Sequence, residues 1–257
     1  MLIAHISDLH VMPPGELAYG RYDTAATLAR CVDSLLQLHP LPALVLATGD
    51  LVDRGTAGEY RRLRGLLAPL PMPVYLIPGN HDAREALCLE FGDHSYLPRP
   101  GAKVDYRVTE NDICLIALDT VVAGEDGGAL DPAQLDWLAA QLAVGPRTPT
   151  LVLMHHPPIT SGIRCMDGIA LDVASARRLG RIIERHPQVE RIVCGHTHRA
   201  IQARWHGTTV SVCPSSAFQY GLDFRPHAGA IPTAEPPAYQ LHYWNGAQLV
   251  THTVTPA

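Results

Sequence analysis

The sequence predicts an α/β fold with a largely parallel sheet. Continuous apolar runs of strand length alternate with amphipathic helical stretches, as β-α-β units require, and the later part of the chain adds strands joined by tight turns. A length of 257 residues with 47% hydrophobic content supports one large domain with a buried core.

Residues 2–7 form the first strand, 23–38 a helix closed by His39-Pro40, and 43–47 a second strand. Thr56 and Glu59 make a capping box ahead of a helix over 60–68, and 73–77 supply the third strand. A short helical piece at 83–91 leads into a looser stretch over 92–101, followed by strand-like segments at 104–108 and 113–118. Asp131-Pro132 opens a helix through Leu142, with Asp as N-cap and Pro at the first helical position. Next come a strand at 150–154, a helix at 172–185, a strand at 191–194, and two strands, 200–205 and 208–213, about a His206-Gly207 turn. Residues 221–237 are rich in Pro and Gly and lack apolar periodicity, so they read as a loop or lid, a flap over a site or an oligomer contact. Asn245-Gly246 then joins 239–244 and 248–254 as a terminal hairpin. Apolar strands between helices belong to a sheet covered on both faces.

The net charge of −5, without a basic stripe, excludes a protein that tracks a nucleic acid backbone or an anionic membrane surface. Six cysteines without a C-x-x-C pair fit a reducing compartment. Met1 runs directly into Leu2-Ile3-Ala4, with no basic leader, and no apolar stretch approaches about 18 residues. The expected location is the cytoplasm.

Polar clusters sit at the ends of five apolar runs: Asp8-Leu9-His10, Gly49-Asp50, Gly79-Asn80-His81-Asp82, His155-His156 and Gly195-His196-Thr197-His198. Asp8 and His10 project to one side if the strand stays extended. Gly49 permits a sharp turn that leaves Asp50 in the crevice at the carboxyl end of the sheet. Asn80 offers a neutral carboxamide oxygen, and His196 and His198 repeat the alternation of the first cluster. Any one of these is equally a turn or a cap. Five together describe a ligand set for a pair of divalent metals. Asp8 and Asp50 supply two negative charges, so two divalent cations leave a positive centre that attracts phosphate and acidifies water.

In this order, the clusters resemble the pattern D-x-H, G-D, G-N-H-[D/E], H, G-H-x-H of the calcineurin-like metallophosphoesterase superfamily, over residues 8–198. His5-Ile6-Ser7-Asp8, Ile77 to Asp82, His155-His156-Pro157-Pro158, Tyr19-Gly20 and Met166-Asp167 are most similar to the bacterial class III cyclic-nucleotide phosphodiesterases and related glycerophosphodiesterases. The resemblance implies a four-layer α/β/β/α sandwich, with a catalytic domain over 1–215, and a loop or lid and a small C-terminal β-hairpin appendage over 216–257. It implies that Asp8, His10 and His198 hold one metal, that Asn80, His155 and His196 hold the other, and that Asp50 bridges. His155 is the ligand of its pair because the family pattern uses the His that ends the strand, with His156 behind it. His81 is then the catalytic imidazole facing the phosphate. Tyr19, His156 and Arg54 are candidate substrate contacts. The implied cofactors are two transition-metal ions, Fe, Mn, Zn or Co, and the implied reaction is hydrolysis of a small phosphodiester, a cyclic nucleotide or a glycerophosphodiester, by metal-bound hydroxide. A homodimer or higher homo-oligomer is implied as well.

One string points elsewhere. Gly49-Asp50-Leu51-Val52-Asp53-Arg54-Gly55 matches the G-D-x-V-D-R-G of Ser/Thr protein phosphatases, where the arginine binds a phosphate dianion, so a phosphomonoesterase is the alternative. Those enzymes follow Gly-Asn-His with Glu, where this chain has Asp82. An exposed turn is the simpler account of Asp53 and Arg54. A non-catalytic scaffold on the same fold would have lost ligands, and here all are intact.

Overall fold

The computed structural model describes residues 1–110 and 112–256. Eleven strands and six helices among the described residues build two sheets. The first sheet contains β1 (Leu2–Ile6), β2 (Leu44–Thr48), β3 (Val74–Ile77), β10 (Tyr239–Trp244) and β11 (Leu249–Val254), in the order β11-β10-β1-β2-β3. The second contains β4 (Tyr106–Glu110), β5 (Ile113–Ala117), β6 (Thr150–Leu153), β7 (Val189–Cys194), β8 (Ile201–Trp205) and β9 (Thr208–Val212), in the order β4-β5-β6-β7-β9-β8. Parallel β1-β2-β3 is extended on one side by antiparallel β10 and β11, and parallel β5-β6-β7-β9 is flanked by antiparallel β4 and β8.

Three apolar clusters define the layers. Ile3, Leu46 and Ile77 of the first sheet meet Leu115, Leu151 and Val193 of the second, so the sheets pack face to face. Helices α1 (Thr24–Leu36), α2 (Ala57–Leu67) and α3 (Arg84–Glu90) cover the outer face of the first sheet through Leu28, Leu63 and Leu87. Helices α4 (Pro132–Val144) and α6 (Val173–Ile183) cover the second through Leu138 and Leu179. The result is the four-layer sandwich implied by the resemblance. Apolar runs alone suggested one sheet because a strand between a sheet and a helix is as apolar as one between two helices.

The helix starts follow their capping chemistry. Asp23 accepts from Ala26 N and Asp172 from Ser175 N, while Thr56/Glu59 and Asp131/Gln134 close reciprocal boxes. Other details depart from expectation. Pairing in β4 begins at Tyr106 rather than 104, because Val104 N is diverted to the Asp119 carboxylate and Asp105 accepts from Asp119 N. A one-turn helix, α5 (Arg164–Asp167), carries no periodic signal; Asp167 holds it by accepting from Ser161 N and Gly162 N. The C-terminal hairpin forms as expected, but β10 lies along β1, so the hairpin widens the first sheet rather than standing apart from it.

Between the sheets runs a buried polar chain with a fixed direction. Thr48 Oγ1 donates to Ser7 Oγ, so it accepts from His5 Nε2. His5 Nδ1 therefore accepts from His242 Nε2, His242 Nδ1 from the Thr251 hydroxyl, and Thr251 from the Arg191 guanidinium. Both imidazoles are neutral in this arrangement, and burial holds His5 down to about 3 and His242 well below its ordinary value. Unfolded, each histidine takes a proton below about pH 6.5, so acid favours the unfolded chain. The unfolding free energy of chelator-treated protein is expected to fall between pH 6.5 and 4 by about 1.4 kcal/mol per pH unit for each of the two residues, and the slope to shrink in the His5→Gln/His242→Gln variant.

Candidate metal centre

The polar clusters meet at the carboxyl ends of the parallel strands. They arrive through strained turns rather than by extending the strands. Asp8, His10, Asp50, His196 and His198 all have positive φ, between 42° and 73°, a region that costs a non-glycine residue on the order of 1 kcal/mol or more. The turn after β1 is zipped onto the turn after β2: Asp8 N donates to Gly49 O and His10 N to Asp50 O, at 3.0 and 2.9 Å. Buried Asp82 ties the turn after β3 to the same place, accepting from Gly79 N, Leu51 N and the Tyr60 hydroxyl.

Every candidate ligand except Asn80 is almost fully buried, and Asn80 is half-buried. Ligand atoms of Asp8, His10 and His198 lie within 4.8 Å of one another, as do those of Asp8, Asp50 and His155. His155, His156 and His196 form a further such group. Asn80 Oδ1 is 3.2 Å from His155 Nε2. The structure thus brings together all seven residues expected to bind metal.

Their outer hydrogen bonds determine what faces inward. His155 Nδ1 donates to Thr48 O at 2.7 Å and His198 Nδ1 to Phe218 O at 2.8 Å, since a carbonyl can only accept. Each ring then turns its Nε2 into the centre, where the neutral imidazole offers a lone pair to a cation. His155 Nε2 faces Asp50 Oδ2 at 3.4 Å, His198 Nε2 faces His10 Nε2 at 3.1 Å, and His196 Nε2 is buried without a hydrogen-bond partner among the described residues. Asp8 accepts from His196 N at both oxygens, and Asp50 Oδ1 from His81 N. Imidazole nitrogens and carboxylates converging in a dry crevice are the donor set of a cation site.

The electrostatics agree. Burial raises the Asp8 carboxyl to about 6 and lowers His196 to about 3. Burial acts against ionising both Asp50 and His155, yet their mutual attraction prevails, placing Asp50 well below the usual carboxylate range and His155 up at about 9, so without a cation the pair holds a proton in its place.

The remaining candidates lie around this centre. His81 has a 40% exposed side chain, with Nδ1 held 2.8 Å from Asp53 O, so its Nε2 is directed away from that anchor. Both ring nitrogens of buried His156 are engaged, with Thr120 Oγ1 and Asp126 O. Tyr19 is exposed, its hydroxyl 2.9 Å from that of Tyr220 and its ring edge-on to Phe218. Arg54 is half exposed and paired with Glu16 at 2.6 Å.

Asp53, treated in the sequence as an exposed turn residue, lies 3.4 Å from His10 Nδ1, and its place in the G-D-x-V-D-R-G string was the available signal. Phe218, which packs against His10 and His198, gave none. Gly195 has a steric reason: a Cβ there would run into Ser7 Oγ and lie 2.7 Å from Asp8 Oδ2. Gly195→Ala is expected to lower stability by about 1–3 kcal/mol and to reduce bound metal, as checked by thermal unfolding and elemental analysis.

Comparison with known proteins agrees with this geometry. The model of the calcineurin-like phosphoesterase family matches residues 1–200. The chain is 36% identical over 254 residues to a probable glycerophosphodiester phosphodiesterase GpdQ of Arcobacter nitrofigilis, covering 98% of this chain and 92% of that protein. It is 32% identical over 219 residues to the 3',5'-cyclic adenosine monophosphate phosphodiesterase CpdA of Vibrio vulnificus, covering 85% and 77%. A crystal structure of a dimetal phosphatase from Danio rerio shares the fold over 100% of this chain and 99% of that one, with a TM-score of 0.69 at 16% identity. With its ligand-type residues at the strand ends and its family model matched over most of its length, the chain belongs to the calcineurin-like phosphoesterase family.

Proposed function

We propose that this chain hydrolyses small phosphodiesters at a centre of two divalent cations. Asp8, His10 and His198 hold one, Asn80, His155 and His196 hold the other, and Asp50 lies between. The observation that carries this reading is the inward-facing set of carboxylates and imidazole nitrogens, with the His155 and His198 rings oriented by Thr48 O and Phe218 O. Fe, Mn, Zn and Co all suit such a mixed His, Asp and Asn set. When bound, the two cations supply acidified water and neutralise charge on the phosphate.

The protein supplies the rest. Anchored through Nδ1, His81 presents Nε2 on the open side of the centre, within the same crevice as His10 and Asp53. There it donates a proton to the leaving alkoxide oxygen. His156 packs edge-on to His155 and at a tilt against His196 and keeps their rings in place, which suits a positioning role better than substrate contact. Tyr19 and Tyr220 form an exposed hydroxyl pair beside His198 for the ester substituent. The segment 221–237, pinned by Gly221 N to Ile231 O and Thr233 N to Gln219 O, holds exposed Leu222, Phe224 and Ile231, which fit a substrate-shaping flap. No helix among the described residues is long and apolar enough to cross a membrane. All six cysteines are free, which suits the reducing cytoplasm.

A diester is favoured over a monoester by the fate of Arg54. A monoester dianion needs a further cation, and the one arginine in the phosphatase-like string is already paired with Glu16. The names of the relatives, a glycerophosphodiester and a cyclic adenosine monophosphate phosphodiesterase, point to the same class. Protein reconstituted with manganese is expected to cleave bis-(p-nitrophenyl) phosphate at least about tenfold faster than p-nitrophenyl phosphate, a difference of about 1.4 kcal/mol in activation free energy. A preference for the monoester would overturn the assignment.

A further inference from the structure

A sixth strand end carries polar residues for which the sequence pattern has no role. Beyond β5, Leu118 is followed by Asp119 and Thr120, both fully buried. Their side chains reach to different ligand-bearing turns. Asp119 receives a two-pronged ion pair from Arg84, Nε to Oδ2 at 2.5 Å and Nη2 to Oδ1 at 2.9 Å, and Arg84 also donates to Val121 O. Thr120 Oγ1 lies 2.7 Å from His156 Nδ1. Because His156 Nε2 must donate to Asp126 O, Nδ1 is the acceptor and Thr120 the donor.

Arg84 begins α3, four residues beyond Asn80, on the turn that leaves the edge strand of the first sheet. His156 follows His155, on the turn that leaves β6 in the second sheet. Two consecutive residues therefore fasten turns from opposite sheets to a single point. That point is itself fixed, because Asp119 accepts from Val104 N and Val121 N while Gln134 Nε2 donates to Asp119 O. A two-pronged pair between a partly buried Arg and a buried carboxylate sets orientation as well as distance.

The geometry points to Asp119 and Thr120, with Arg84, as a positioning brace that sets the separation of Asn80 and His155 and thereby the affinity of the metal position those two share. The inference rests on the two-cation reading above. The other position is held by different means: Asp8 and His10 by the pairing of the turns after β1 and β2, and His198 by Phe218 O. Loosening the brace should act on one position and spare the other.

The test is titration of metal-free protein with Mn²⁺, followed by calorimetry, for wild type, Arg84→Met and Thr120→Val. The second variant removes only the hydroxyl and keeps the side-chain shape, so it stays informative if the first folds poorly. Both are expected to weaken one of the two binding steps by at least about tenfold and leave the other within about threefold, the range for losing an outer partner of a ligand. Asn80→Ala, which removes a ligand of that position directly, identifies which step is affected. Turnover at saturating Mn²⁺ should recover toward wild type, because the brace touches no substrate. Unchanged affinities in both variants would overturn the brace, as would equal weakening of both steps. If wild type itself binds a single equivalent, the two-cation reading fails instead.

Discussion

Two carboxylates and several imidazoles facing one another in a dry crevice require positive charge between them, and the structure around the centre is organised to keep them there. Thr48 O and Phe218 O accept from Nδ1 of His155 and His198, so each ring directs its Nε2 inward, where a cation can displace any proton it carries. Asp8 and Asp50 accept backbone donors from His196 and His81, which fixes the carboxylates while leaving charge directed inward. Five residues in left-handed conformations hold this geometry against their own backbone preference. Such strain persists where the surroundings over-determine it. Here the surroundings are a four-layer core and a set of paired turns.

The two-sheet architecture has a direct consequence for chemistry. Asp8, His10, Asp50, Asn80 and His81 leave the first sheet, whereas His155, His196 and His198 leave the second. Each proposed metal position draws ligands from both, so the centre is also a seam between the halves of the molecule. The buried chain from Arg191 through His242 and His5 to Thr48 lies behind that seam. Asp119 and Thr120 close it at one side.

Much of this was legible in the sequence because strand ends leave a recognisable trace: an apolar run, often a glycine, then a residue with a metal-binding side chain. Two capped helix starts, at Thr56/Glu59 and Asp131-Pro132, were legible for the same local reason. What escaped was information that no local pattern carries. Asp53 has the composition of a turn, and its turn toward His10 depends on the folded loop. Thr120 and Phe218 act on histidines 36 and 20 residues away in sequence. The division into two sheets was hidden because periodicity reports that a strand is covered, not what covers it. Left-handed turns carry Asp8 and His10 to the centre, where alternation along an extended strand had been expected.

The central claim, that the inward-facing groups hold two cations bridged by Asp50, is tested most directly by electron paramagnetic resonance of protein loaded with Mn²⁺. Two ions sharing a carboxylate in a two-metal site lie about 4 Å apart and couple magnetically. Two bound equivalents are expected, with an exchange-coupled spectrum that becomes that of isolated ions in Asp50→Ala. A single equivalent, or two ions that are magnetically isolated in the wild-type protein, would contradict it.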